Sequence, residues 1–262
     1  QSWVAYDASM NERLSSISDI LFEDLDTAGC QIGLDIGCGA GSTTRRLYEA
    51  LGAHSKVTGL DISEQLLNLA RTAEKNELLE YLQADVQSFT FNSQRADIAI
   101  SRFGVMFFED PVKAFENIRS AIKPGGQFRF VCWAPIEANE FFYAPLNVVA
   151  DITGVSLDAP GKEPGPLAFS DFDYLSSVLE KSGFSSVKIE VVETNITTED
   201  DAEENASLLM EIGMGFRAIK AAEPTPEMLK SIRKSFIQDG LLRQKNGLIS
   251  YGATIYRVTA LA

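Results

Sequence analysis

The stretch that decides the fold is Leu34-Asp35-Ile36-Gly37-Cys38-Gly39-Ala40-Gly41-Ser42-Thr43-Thr44. Residues 31–36 form a short apolar run, which predicts a buried strand, and glycines at alternate positions follow it directly. Glycine permits a tight turn and a close approach to a ligand, and a following helix, capped by Ser42 and running to about Leu51, offers free N–H groups. The stretch predicts a ligand-binding loop, although dinucleotide-binding proteins and plain strand-to-helix turns use similar loops.

The alternation of strands and helices continues outward from this stretch. Strands are predicted at 56–60, 80–83, 97–101, 127–133, 187–192 and 248–261, and helices at 3–25, after a Ser63 cap, at 111–122, at 171–182 and within 199–240, with a turn at 123–126. Strands that alternate with helices predict a parallel sheet covered on both faces. The whole chain, 1–262, is interpreted as one domain, in which 135–170 and 195–245 are helical insertions that cap a site on the sheet.

Acidic residues accompany the first three predicted strands. Asp61 ends the second strand, where a carboxylate can accept the hydrogen bonds of two ribose hydroxyls. Asp85 follows the third strand, where it can accept a proton of an adenine amino group while the N–H of Val86 faces a ring nitrogen. Asp35 precedes the glycines, where an acid can order the loop and hold an amino group. Each acid alone could be a solvated strand end, but three in register favour a nucleoside-containing cofactor.

These motifs resemble those of class I S-adenosylmethionine-dependent methyltransferases. Residues 34–44 resemble their first motif, 59–63 their second, and 84–86 the segment that contacts adenine. Residues 123–131 are similar to the turn and fifth strand that follow, and 101–108 to a bacterial small-molecule subgroup related to the ubiquinone and menaquinone methyltransferases. The resemblance is strong over 30–133 and loose elsewhere, and it is specific for the cofactor rather than for the methyl acceptor.

The resemblance implies an α/β, Rossmann-like sheet of seven mostly parallel strands in the order 3-2-1-4-5-7-6, with 248–261 as the antiparallel strand. It also implies the residues that bind S-adenosylmethionine. They are Gly37, Cys38 and Gly39 at the methionine part, Asp61 at the ribose, Ile62, Asp85 and Val86 at the adenine, and Ser101 and Phe103 near the sulfonium and the acceptor.

Composition narrows the class of acceptor and the setting of the protein. The net charge of −14 disfavours a nucleic-acid partner, because such partners are bound mainly through Lys and Arg on phosphates. Three widely spaced cysteines favour a reducing cytoplasm over a disulfide framework or a metal site, and no apolar run approaches the ~20 residues that span a bilayer. We therefore expect a small-molecule acceptor and no metal, with the oligomeric state left open.

The sequence assigns no catalytic residue. The only histidine, His54, precedes the second strand and so lies at the opposite edge of the sheet from the cofactor. The aromatic run 141–143 suggests an apolar or aromatic acceptor, although aromatic residues more often fill cores. Residues that could contact the acceptor are Tyr6, Arg13, Tyr143 and Arg217. The alternatives are a non-catalytic S-adenosylmethionine-binding protein and an NAD-dependent oxidoreductase.

Overall fold

A computed structural model describes residues 2–91, 95–157 and 161–262. Its strands are β1 Ile32–Ile36, β2 Lys56–Asp61, β3 Leu79–Gln83, β4 Ala96–Arg102, β5 Ile122–Trp133, β6 Ser185–Thr198, β7 Gln244–Lys245 and β8 Leu248–Leu261. Its α-helices are α1 Ser2–Arg13, α2 Ser15–Phe22, α3 Ser42–Leu51, α4 Glu64–Ala73, α5 Pro111–Ala121, α6 Glu140–Thr153, α7 Phe172–Lys181, α8 Ala202–Glu211, α9 Gly213–Ala222 and α10 Pro226–Arg243. Short 3-10 helices occupy Gly104–Phe107 and Ile136–Ala138.

The sheet has the strand order β3-β2-β1-β4-β5-β8-β6, which confirms the predicted mostly parallel sheet. Strand β8 pairs antiparallel with β5, from Gln127 opposite Leu261 to Trp133 opposite Ile255, so the predicted antiparallel strand is also confirmed. The number of strands differs from the predicted seven, because the two-residue β7 forms a hairpin with β8 and makes an eighth. This short hairpin lies at the Asn246-Gly247 turn, where both residues have positive φ angles.

Three local predictions need correction. The predicted helix over 3–25 is two helices, α1 and α2, separated at Leu14. Ser42 is the first residue of α3 rather than its cap, because Gly41 takes the cap position with φ 81°. The predicted turn at 123–126 lies inside β5, between the pair Ala96–Ile122 and the pair Ile98–Gln127, so it interrupts the strand instead of preceding it.

Other elements follow the expected caps more closely. The Ser63 hydroxyl accepts a hydrogen bond from the Leu66 N–H at 3.4 Å and begins α4, as predicted. Asp110 caps α5 through the Lys113 N–H, with Pro111 at the first helical position. Strand β6 continues well beyond the predicted 187–192, and α6 forms within the predicted helical insertion 135–170.

The chain forms two compact units. One consists of Ile17–Ala134, Pro160–Val192 and Ile255–Ala262, and it contains β1 to β5. The other consists of Gln1–Ser16, Pro135–Ala159 and Glu193–Thr254, and it packs α6 against α9 and α10, and α8 against α9 and α10. The predicted cap segments thus contribute largely to the second unit, and their role as a lid stays a prediction. No helix among the described residues is long and apolar enough to span a bilayer.

The register of the parallel strands brings their carboxyl ends to one edge of the sheet. Ile36 pairs with Leu60, Asp61 with Gln83, and Asp35 with Ile100. Ligands of open α/β sheets bind outside these carboxyl ends. The loops that follow β1, β2, β3 and β4 therefore define the candidate site.

Candidate cofactor site

The loop after β1 is held by backbone contacts that only glycine permits. Gly37 has φ 71°, and its N–H donates to the Leu60 carbonyl at 2.8 Å. A Cβ on Gly37 would lie 2.6 Å from the Gly104 Cα, and a Cβ on Gly104 would lie 2.5 Å from the Ile36 carbonyl oxygen. The loop after β1 and the turn after β4 thus pack backbone against backbone, and neither position has room for a side chain.

Asp35 lies fully buried beneath this loop. Its Oδ2 accepts hydrogen bonds from the Thr43 and Thr44 hydroxyls, both at 2.7 Å, while its Oδ1 has no partner among the residues that the structure describes. Burial raises the pKa of Asp35 to about 6, although the two threonines and the charge of Arg102 oppose the rise. A buried carboxylate with a free oxygen is suited to a cationic ligand group.

Asp61 connects the glycine loop to the start of α4. One carboxylate oxygen accepts from the Gly39 N–H at 2.8 Å, and the other accepts from the Ser63 N–H at 2.8 Å. Each oxygen keeps lone pairs for a further donor such as a ribose hydroxyl. Among the described residues other than the two chain neighbours of Gly39, the nearest atom to a Cβ built on Gly39 is the Leu66 Cδ1 at 4.0 Å, so this part of the loop leaves open space.

The neighbouring side chains suit a flat base. Ile62 is 69% exposed, which is unusual for a large apolar side chain and leaves its surface available to a ligand. Asp85 is exposed and orders the turn after β3, because its Oδ1 accepts from the Gln87 N–H at 3.0 Å. The buried Val86 is anchored through its carbonyl, which accepts from the Asn117 side chain at 2.6 Å.

The turn after β4 holds Ser101 and Phe103. The buried Ser101 hydroxyl donates to the Ile36 carbonyl at 2.6 Å and accepts from the Gly104 N–H at 3.2 Å, which ties β4 to the end of β1. Phe103 has φ 66°, a conformation that bulky residues rarely adopt, and its ring stacks on Trp133 with centroids 4.3 Å apart. Such strain is often held at ligand sites.

Cys38 has a packing role in this loop. It is 4% exposed, and a Cβ on Gly59 would lie 2.8 Å from its Sγ. Burial raises the pKa of the Cys38 thiol, so the sulfur is a neutral group and not a nucleophile at neutral pH. Cys30, Cys38 and Cys132 are all free in the structure.

The ten residues expected to bind the cofactor therefore lie at the carboxyl ends of β1, β2 and β4 and on the loops that follow β1 to β4. Their roles toward a cofactor stay predictions, but the open space at Gly39, the exposed Ile62 and the unpaired Oδ1 of Asp35 fit S-adenosylmethionine. Sequence reasoning missed Gly104, Trp133 and Arg102. The glycine directly after the fourth predicted strand could have indicated a tight turn at Gly104. The roles of Trp133 and Arg102 depend on contacts with residues distant in the sequence.

The four residues proposed to contact an acceptor all belong to the second unit. Arg13 is fully buried, forms an ion pair with Asp200 and donates to the Asn205 side chain at 2.9 Å, so its guanidinium is engaged in packing. A hydrogen bond with Glu211 raises the pKa of Tyr6.

The other two differ in exposure. Tyr143 is half-buried, and its hydroxyl donates to Glu140 at 3.4 Å, whereas Arg217 is exposed. In the aromatic run 141–143, Phe141 and Phe142 are buried, which agrees with the alternative that these aromatic residues fill the core. Contact of Tyr6, Arg13, Tyr143 or Arg217 with an acceptor stays a prediction.

Comparison with known proteins supports the fold and matches part of the chain to a domain family. Residues 34–130 match a family described as a methyltransferase domain. A demethylmenaquinone methyltransferase from Staphylococcus haemolyticus is 28% identical over 168 residues, which are 60% of this chain and 69% of the relative. A ubiquinone biosynthesis O-methyltransferase from Coxiella burnetii is 38% identical over 100 residues, 37% of this chain and 41% of the relative.

Solved structures agree on the fold. An S-adenosylmethionine-dependent methyltransferase from Mesorhizobium loti superposes with a TM-score of 0.51 at 21% identity, covering 95% of this chain and 100% of that one. The chain spans about two thirds of the first relative and about two fifths of the second. The domain match and the names of the relatives support methyl transfer over non-catalytic binding or NAD-dependent oxidation.

Replacement of Asp35 by asparagine tests the burial of its carboxyl group. The native pKa of about 6 exceeds the ordinary value of 3.8, so between these two pH values the folded state holds a proton that the unfolded state has released. The contribution of this carboxyl group to stability is complete below pH 4. This contribution is lost as the pH rises through 6, by about 3 kcal/mol for a difference of about two pKa units. Urea unfolding between pH 4 and 7 should therefore show Asp35→Asn gaining stability relative to the wild type as the pH rises.

The matched control is Asp19→Asn, whose carboxylate is 72% exposed and pairs with Arg46 on the surface. It should change the slope of unfolding free energy with pH only slightly. Parallel curves for wild type and Asp35→Asn would contradict the burial of an ionisable Asp35.

Proposed function

We propose that this S-adenosylmethionine-dependent methyltransferase transfers the cofactor's methyl group to a small organic acceptor that has an apolar or aromatic part. The observation that carries the cofactor assignment is the fully buried Asp35, whose Oδ1 is unpaired, beneath a loop whose glycines leave space at Gly39. The match of residues 34–130 to a methyltransferase domain supports the reaction type.

In this proposal the loops divide the cofactor among them. Asp35 faces the ammonium group of the methionine part, which lies along Gly37, Cys38 and Gly39. Asp61 accepts the ribose hydroxyls in addition to the N–H groups of Gly39 and Ser63. Ile62 packs on the adenine ring, and Asp85 and Val86 contact its polar edge.

When bound, S-adenosylmethionine supplies an electrophilic methyl carbon on a sulfonium. The work left to the protein is alignment of the acceptor and exclusion of water, which can account for much of the acceleration of an in-line displacement. Phe103 and Ser101 lie at the end of β4, where the backbone is fixed by the Ser101 hydrogen bonds to Ile36 and Gly104. A rigid turn at this place holds the acceptor side of the site in one geometry.

The side chains around that turn support the proposed acceptor class. Phe103 stacks on Trp133, and Phe107 of the same turn is 52% exposed, so an aromatic surface lies beside the glycine loop. The net charge of −14 disfavours a nucleic acid as acceptor. The relatives are named for demethylmenaquinone and ubiquinone biosynthesis, which also supports a small organic acceptor.

The second unit and the cellular setting complete the proposal. Segment 135–170 follows β5 in the chain, segment 195–245 begins in the last residues of β6, and both are proposed to act as a lid. Within the second unit, Tyr6, Tyr143 and Arg217 keep the proposed acceptor role, while the burial of Arg13 favours a packing role for it. Three unpaired cysteines are consistent with a reducing cytoplasm.

Transfer of a labelled methyl group tests the reaction. The protein is incubated with methyl-tritiated S-adenosylmethionine and a panel of phenols, catechols and substituted hydroquinones, with transfer RNA and duplex DNA as the polyanionic arm. Label should appear in one of the small organic pools and not in the nucleic acids. Label confined to nucleic acid would overturn the acceptor class.

Asp61 offers a second prediction. Asp61→Ala removes a charged acceptor from the ribose and from two backbone N–H groups. Hydrogen bonds to charged groups are worth about 1.5–3 kcal/mol, so the affinity for S-adenosylhomocysteine should fall at least about tenfold. Asp61→Asn, which keeps one acceptor oxygen, should lose less. An unchanged dissociation constant in folded Asp61→Ala protein argues against a ribose at Asp61.

A further inference from the structure

Strand β6 lies at one end of the sheet, next to β8, and no other described strand pairs with its outer side. It has 14 residues, whereas β3 at the opposite end of the sheet has five. Ser186 has a positive φ of 50°, but the five residues that follow it, 187–191, have none and continue the strand. The N–H and C=O groups on the outer side of an edge strand form a template for a further strand.

The side chains of segment 187–191 alternate between the two faces of the sheet. One face carries the β-branched residues Val187, Ile189 and Val191, of which Val187 is 36% and Val191 63% exposed. The other face carries Lys188 and Glu190, whose charged groups lie 2.7 Å apart. The segment therefore presents an apolar stripe on one face and both signs of charge on the other.

A second copy of the chain fits this segment in one register. In an antiparallel pair related by a two-fold axis perpendicular to the sheet, residues that lie opposite each other come from the same face. With the axis at Ile189, Lys188 of each copy lies opposite Glu190 of the other, which gives two ion pairs on one face. On the opposite face, Val187 of each copy meets Val191 of the other, and the two Ile189 side chains meet on the axis.

The neighbouring registers are unfavourable. Because only residues of the same face can be opposite, the next registers have the axis at Lys188 or at Glu190, and each places two like charges directly opposite. Like charges in that position are destabilising, whereas opposite charges and β-branched pairs stabilise the ladder. Lys188 also disfavours pairing with any strand that presents no acid to it, so the charges favour the chain's own copy.

We propose that the chain forms a homodimer in which the 187–191 segments of two β6 strands pair antiparallel about a two-fold axis at Ile189. The Glu190 carboxylate is already oriented, because the Arg257 Nε of β8 donates to its Oε2 at 3.2 Å. Lys188 is 67% exposed and is free to turn from its own Glu190 to that of the second copy. The inference does not depend on methyl transfer, because segment 187–191 lies outside the loops that follow β1 to β4.

Sedimentation velocity of the full chain over a range of concentrations tests this association. The wild type should sediment with twice the mass of one chain. Lys188→Glu replaces both ion pairs by repulsion between carboxylates and should raise the dimer dissociation constant at least about tenfold at low salt. Glu190→Lys should weaken the dimer in the same way through repulsion between ammonium groups. A mixture of the two variants restores opposite charges in both pairs, so mixed dimers should form.

The matched control is Lys181→Glu, which makes the same change of charge at an exposed lysine of α7 and should leave the dissociation constant unchanged. Circular dichroism and thermal unfolding show whether each variant is folded.

A second measurement keeps the register testable if the charge variants do not fold. On oxidation, Ile189→Cys should give a disulfide-linked dimer, because opposite residues of an antiparallel pair have Cβ atoms only about 4.5–5.5 Å apart. Val191→Cys should not, because its two copies would lie about 13 Å apart along the strands. The wild type, with Cys30, Cys38 and Cys132 free, shows any linkage through the native cysteines.

Three results would overturn the proposal. The first is a wild type that remains monomeric up to millimolar concentration. The second is a dimer whose dissociation constant is the same in Lys188→Glu as in the wild type. The third is a dimer that Val191→Cys links and Ile189→Cys does not, since this would place the axis elsewhere.

Discussion

The pair of hydrogen bonds from Thr43 and Thr44 to the buried Asp35 carboxylate is the interaction on which the site depends. A carboxylate in a protein interior is expensive unless donors compensate it, and hydrogen bonds to a charged group are worth about 1.5–3 kcal/mol each. These two bonds fasten the first turn of α3 to the end of β1. The glycine loop between them is thereby closed at both ends.

Once the loop is closed, the other strands add their parts in order. The Gly37 N–H bonds to the β2 carbonyl of Leu60, and Asp61 returns the contact by accepting from the Gly39 N–H. Ser101 reaches the Ile36 carbonyl from β4. Each of these contacts joins the ends of two adjacent strands and so makes the loops of the site rigid. Methyl transfer depends on alignment of the reacting groups, which a rigid site provides.

Much of this part of the fold could be predicted from the sequence. The glycines and Asp35, Asp61 and Asp85 occur within residues 35–85, where strand periodicity and turn chemistry specify the local structure. The limits are equally physical. Gly41 takes the N-cap position of α3 because its positive φ closes the loop. The sequence predicted Ser42 as the cap, because serine is a common N-cap residue. The break at Leu14 is not marked by any glycine or proline. The eighth strand is marked by the Asn246-Gly247 turn, but β7 is only two residues long and shows no strand periodicity.

Long-range contacts account for the remaining differences. Two sets of contacts join residues that are 30 or more positions apart in the chain: the stacking of Phe103 on Trp133, and the hydrogen bonds of Arg102 with Ser18 and Ser42. No local sequence pattern predicts contacts at such separations. The burial of Arg13 is likewise explained by Asp200 and Asn205, nearly 200 residues later in the chain. Periodicity reports the face of an element but not its partner, so side chains that act through distant partners require the structure.

The measurement that tests the central claim most directly is the competition of two cofactors for the wild-type protein near pH 7.5. The account predicts that S-adenosylhomocysteine gives a saturable heat of binding with one site per chain, and that NAD neither gives such a heat nor displaces it. Saturable binding of NAD together with no heat from S-adenosylhomocysteine would contradict it.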